Sequence, residues 1–149
     1  MTLRDRLTED MKKAMKDKEA GKLKLSVIRM VRSAAKYLEI DRGKELDEAE
    51  FIDVVAKEVK MRKDSLEEFR KANRPEALAT LEQEIAILMD YLPAQMSEAE
   101  VRELVKQAVA EAQAVSPKEM GKVMAILMPK VKGRADGKLV NSLVKEMLS

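Results

Sequence analysis

Lys122, Lys130, Lys132, Arg134 and Lys138 fall in one short stretch, MGKVMAILMPKVKGRADGK, broken by Pro129, Gly133 and Gly137. Side chains of this type, gathered at a break between two helices, are suited to holding a polyanion. Lys130 and Lys132 also have a plainer use, because cations near a helix C-terminus stabilise it by a few tenths of a kcal/mol up to about 1. Arg134 and Lys138 are not explained in that way. They flank the start of the following helix, where the dipole disfavours cations, and basic side chains beside open N–H groups make a phosphate site. Aromatic residues are only 3% of the chain, so base stacking is not expected. The chemistry implied is recognition of the backbone and shape of structured RNA, with no DNA specificity.

Catalytic chemistry finds little support. The chain has no His and no Cys, which removes imidazole acid–base chemistry, thiolate nucleophiles and the common zinc ligand sets. Ser65, in RKDSLEEF, has Lys63 and Asp64 beside it, yet no Gly-rich nucleophile elbow surrounds it. The acidic runs at Asp47–Glu50 and Glu82–Glu84 read as a helix start and a solvated face. No P-loop, GxGxxG or EF-hand pattern occurs. No catalytic residue, metal site or cofactor is therefore expected.

The formal net charge is +2, from 29 basic and 27 acidic residues. Residues 1–96 hold 20 of each, whereas residues 117–138 hold 6 basic and 2 acidic, net +4. The excess charge thus sits in one segment. No run approaches the roughly 20 apolar residues that cross a bilayer, and the first residues lack an apolar core of signal-peptide type. These features, with the absence of Cys, predict a cytoplasmic protein without a membrane partner.

The elements that must position the basic cluster read as helices throughout. Leu3, Leu7, Met11 and Met15 form a stripe on a helix over about 2–19, which Gly21 ends. A second helix, about 22–41, turns Leu25, Ile28, Val31, Ala35 and Leu38 inward and shows Lys24, Arg29, Arg32 and Lys36 on its other face. Asp47 and Glu50 suggest a capping box for a third. Arg74-Pro75 separates it from a fourth, with Leu78, Leu81, Ile85, Leu88 and Met89 inward. Tyr91-Leu92-Pro93 closes that segment, so the main boundary falls at about 93–97. Ser97 with Glu100 reads as a second capping box, opening a fifth helix over 98–113, and Ser116-Pro117 caps a sixth. Met120, Met124 and Met128 read as core. Pro129 is expected to end or kink that helix at Met128, Gly133 to turn left-handed, and Asp136 to cap a last helix. No strand-period segment occurs.

The wording of these segments resembles a known family. MGKVMAILMPKVKGRADGKLVNSLVKEML is similar to the tail domain of GatB, a subunit of the glutamine-dependent tRNA amidotransferase. MRKDSLEEFRKANRPE and YLPAQMSEAE resemble the YqeY proteins, and the likeness extends over the whole chain. It implies an all-α fold of two domains, four helices over 1–94 and three GatB-tail-like helices over 95–149. It also implies tRNA as partner, with Lys122, Lys130, Lys132, Arg134 and Lys138 facing it. Amidotransferase subunits are a further implied partner, and an alternative role is as a component of a carbon–nitrogen ligase with glutamine as amido-N donor. The kinase-like cradle of GatB and the Ser-rich amidase signature of its partner are missing, so no activity of the chain alone is expected. A third reading, from the residues themselves, is a protein-interaction scaffold using the Met stripe or the polar faces of the first two helices. Arg62, Lys63, Asp64 and Arg74 read as structural ion pairing in preference to a second contact surface.

Overall fold

The computed structural model describes residues 1–149, all in helices and short connections, with no strand. The all-α expectation holds. The chain divides into two units, Met1–Leu92 and Pro93–Ser149.

In the N-terminal unit, Thr2 and Asp5 form a reciprocal capping box that starts α1, Leu3–Lys16. The Asp5 carboxyl is held below its ordinary value first by the Thr2 hydroxyl and then by the Thr2 backbone N–H. A 3-10 turn, Lys18–Gly21, leads into α2, Lys22–Arg42. Gly21 is required there by a close approach, since a Cβ at this position would lie 2.2 Å from the Ala14 carbonyl oxygen. That crossing explains a departure from the expected stripe. Ala14 is the buried residue, while Met15 is 53% exposed. Gly43, at φ 70°, closes α2 in the left-handed region.

Asp47 and Glu50 make the expected capping box of α3, Glu48–Lys71. Pro75 occupies the first position of α4, Pro75–Met89. Leu7, Ile28, Val31, Val55, Phe51 and Leu88 lie at the centre of this unit's core. Two polar contacts pin its helices together. Arg62, 6% exposed, has Nη1 3.4 Å from Glu58 Oε1 and Nε 3.6 Å from Glu84 Oε1, joining α3 to α4. Tyr91 donates its hydroxyl to the Asp10 carboxylate, and Arg6 lies over its ring at 5.0 Å. Burial first, and then the Asp10 carboxylate, push the Tyr91 phenol upward. Arg74 stacks over Phe69 at 6.0 Å, so it serves the local fold, as does Arg62.

The C-terminal unit holds α5, Glu98–Ala112, α6, Met120–Val131, and α7, Gly137–Leu148. Val101, Val105, Val123, Leu127, Val140 and Val144 are fully buried among the three. Ser116 and Pro117 begin a single 3-10 turn, Pro117–Glu119, ahead of α6. Met128 is 38% exposed, so the core stripe of methionines stops at Met124. Contrary to one form of the expectation, the helix does not end at Met128: α6 runs through Pro129 to Val131. Proline here forfeits one bond to the carbonyl of Ala125, an exposed residue whose carbonyl water can serve. The ladder then closes with Lys132 N–H donating to Met128 O at 2.9 Å.

Candidate nucleic-acid interface

The connection between α6 and α7 is five residues long, Lys132 to Asp136, and its backbone bonds are specific. Gly133, buried at φ 77°, takes the left-handed position just past the helix. Behind it, the Arg134 and Ala135 N–H groups both donate to Val131 O, at 2.8 and 3.0 Å. The residues before α5 fasten the outer side of the turn. Met96 N–H donates to Arg134 O at 2.8 Å, and Gln95 Nε2 donates to Gly133 O at 2.9 Å. The turn is therefore held from two directions.

The five candidate cations are placed unequally around it. Lys130, Lys132 and Lys138 are exposed at its rim. Lys130 Nζ lies 4.0 Å from Glu111 Oε2 on α5, a surface pair of small energetic worth. Arg134 is half-buried, and its Nε donates to Ala94 O at 3.2 Å. Its guanidinium thus works first as a clamp on the segment ahead of α5. Lys122 is exposed in the first turn of α6, and the eight residues separating it from Lys130 put it roughly 12 Å along the helix axis from the turn. The turn gathers Lys130, Lys132, Arg134 and Lys138 and leaves Lys122 at the far end of α6.

At the start of α7 the expected Asp136 cap takes one of the N–H groups that read as open to an anion. Asp136 caps the helix, accepting from Lys138 N–H at 2.9 Å through Oδ1. The carboxylate supplies the negative charge that a helix start favours. An anion at this turn would therefore be met by the lysine side chains more than by the helix terminus.

A second basic surface lies in the N-terminal unit and was only half legible in the sequence. Arg29, Arg32 and Lys36 line one side of a groove of about 920 Å³, which Arg4, Tyr37, Ile40 and Lys44 complete. The spacing of 29, 32 and 36 marked a helix face. Nothing in the sequence placed Arg4 and Lys44 beside it.

A profile of the YqeY family, described as Yqey-like protein, matches residues 4–148. Among curated relatives is Altered inheritance of mitochondria protein 41, mitochondrial, of Lachancea thermotolerans, 40% identical over 74% of this chain and 60% of that protein. The protein of the same name from Kluyveromyces lactis is 43% identical over 57% of this chain and 45% of its own length. That from Pyrenophora tritici-repentis is 29% identical over 96% of this chain and 79% of its own. The chain thus spans about half to four-fifths of the relatives it matches. All three are named mitochondrial proteins, which overturns the expectation of a cytoplasmic chain. The features behind that expectation, no Cys and no apolar run, do not distinguish one reducing compartment from another.

Proposed function

The chain belongs to the YqeY family, and we propose that its C-terminal unit is a non-catalytic module that grips structured RNA, tRNA first, by the phosphate backbone. The observation that carries this reading is the gathering of Lys130, Lys132, Arg134 and Lys138 around one braced turn, within a segment of net charge +4. Lys130, Lys132 and Lys138 reach phosphates, and Arg134 holds the turn while offering the rest of its guanidinium. Lys122 contributes from the far end of α6 only to a ligand long enough to follow the helix. With no aromatic residue in this unit after Leu92, sequence reading of unstacked bases has no platform.

The test is a titration of purified chain with bulk tRNA and with duplex DNA at several salt concentrations. With about three to four phosphates contacted, log affinity should fall against log salt with a slope of about −2 to −4. Changing Lys130, Lys132 and Lys138 together to Ala should weaken tRNA binding about tenfold or more and make the slope shallower by about 2 to 3. Arg134→Ala should lower binding and the unfolding midpoint of this unit together, because it removes a brace. Unchanged affinity and slope in the triple lysine variant would sink the proposal.

A further inference from the structure

The N-terminal unit is electrically balanced overall, with 20 basic and 20 acidic residues over 1–96, yet its groove is not. Arg4, Arg29, Arg32, Lys36 and Lys44 face it against Glu39 and Glu45, five cations to two carboxylates, net +3. Glu39 is already engaged, accepting from Leu46 N–H at 2.9 Å and from the Arg4 guanidinium. That pairing neutralises Arg4 and fixes the end of the groove, leaving Arg29, Arg32, Lys36 and Lys44 to define its sign. The groove also has an apolar character that a pure phosphate site would not need. Tyr37 is 75% exposed and Ile40 71% exposed on its rim, one helical turn apart on α2. Met11 and Phe51 lie in its floor, and Arg32 Nη1 rests 2.8 Å from the Met11 sulfur.

We infer that this groove docks an acidic, apolar-anchored peptide segment of a protein partner. Cations spaced along α2 at 29, 32 and 36 match carboxylates spaced along a short helix or extended segment. Ile40 and Tyr37 offer the apolar contact that anchors such a segment, and Tyr and Arg are among the residue types enriched at interface hot spots. A volume of about 920 Å³ has room for two or three side chains, since pockets of roughly 300–1,000 Å³ enclose a drug-sized ligand. A nucleic-acid strand fits less well. Its phosphates come at dense, regular spacing, and Ile40 would gain nothing from them. The inference is independent of the RNA reading, which concerns the other unit.

The experiment selects a displayed library of random 12-residue peptides on the full chain, with counter-selection on the double variant Arg29→Glu, Lys36→Glu. Both positions are exposed, and circular dichroism verifies the variant's fold. Enriched peptides should share at least two carboxylates and one large apolar residue. In fluorescence polarisation they should bind the double variant at least tenfold more weakly, and Ile40→Ala about fivefold more weakly, while the triple lysine variant of the C-terminal unit binds them unchanged. Enrichment of peptides without carboxylates, no enrichment above the counter-selected background, or equal binding to the double variant would each overturn the inference. So would a 12-nucleotide single-stranded RNA that competes the selected peptides off.

Discussion

Arg62 offers the sharpest test of how the N-terminal unit is held. Its side chain is 7% exposed, and the two carboxylates it serves, Glu58 and Glu84, are 10% and 18% exposed. Nη1 also donates to the Glu58 carbonyl at 3.0 Å, and Nη2 lies 3.3 Å from the Met30 sulfur. Arg62→Met keeps much of the aliphatic volume but leaves two screened carboxylates facing each other without a cation. Breaking a buried pair from one side costs about 3–5 kcal/mol, because the remaining charge stays buried. For a unit of this size, about 3 kcal/mol corresponds to a fall in Tm of roughly 12–24 °C. The counterpart is Arg62→Met with Glu58→Leu and Glu84→Leu, which removes all three charges. It should recover most of the loss, since a buried ionic group replaced whole by apolar residues is often neutral. Urea unfolding followed by tyrosine fluorescence reads the right unit alone, because Tyr37 and Tyr91 are the chain's two tyrosines and it has no Trp. A loss below about 1 kcal/mol in the single variant would refute the reasoning. So would a triple variant as unstable as the single one, since the orphaned carboxylates would then not be the cause.

Two further outcomes follow from neighbouring geometry. Gly21→Ala puts a methyl where only 2.2 Å separates it from the Ala14 carbonyl oxygen, so the backbones of α1 and the α2 start must part. The expected loss is about 3 kcal/mol or more, read as a lower urea midpoint by the same fluorescence. Gly121→Ala, in the C-terminal unit and with nothing within 4 Å of its added Cβ, should leave that unit's urea midpoint, followed by far-UV circular dichroism because the unit has no tyrosine, unchanged or slightly raised. The Glu39 carboxyl is held below its ordinary value, first by Leu46 N–H and then by the Arg4 guanidinium. Its folded value lies below the unfolded one, so its contribution is present above the ordinary carboxylate range and is lost as pH falls through the folded value. Glu39→Gln should therefore lower stability at pH 7 and make the midpoint fall less between about pH 5 and pH 3. An equal fall in both proteins would count against the pairing.

Helices were legible because their signals are local. The capping box Asp47–Glu50, the stop at Gly43 and the first-turn Pro75 each depend on a few neighbours, and each is where the residues placed it, while of the box read at Ser97–Glu100 only the Ser97 cap on Glu100 N–H forms. What the sequence concealed depends on distant partners. Met15 belongs to the stripe by period, yet it is exposed because Gly21 brings α2 against Ala14, a contact no periodicity reports. Pro129 breaks a local rule inside α6, at a point where Ala125, whose carbonyl loses its helical donor, is an exposed residue. Arg134 read as a cation aimed at a ligand because its bond to Ala94 spans 40 residues. The groove beside α2 was visible as three cations and hidden as a cavity, since its other wall comes from Arg4 and Lys44.

The way the α6–α7 turn is fastened bears on what kind of contact it could make. A flexible basic loop would gain contacts with phosphate but pay about 0.5–1.5 kcal/mol for each long side chain and further for the backbone it orders. Here the backbone from Val131 to Asp136 is already fixed, by two N–H bonds to Val131 O and by the bonds that Met96 and Gln95 make to Arg134 O and Gly133 O. Only lysine rotamers remain to be ordered. A braced turn with exposed lysines at its rim suits a ligand of fixed contour, such as the outer curve of a folded RNA, better than one that must be wrapped. The consequence separates bracing from contact. Gln95→Ala removes a brace to Gly133 O and changes no charge, so it should weaken binding to folded tRNA with the salt slope preserved. Lys132→Ala should instead reduce the slope by about 0.7–0.9. If Gln95→Ala changed the slope, or left affinity untouched while Lys132→Ala lowered it, the bracing would have no part in recognition.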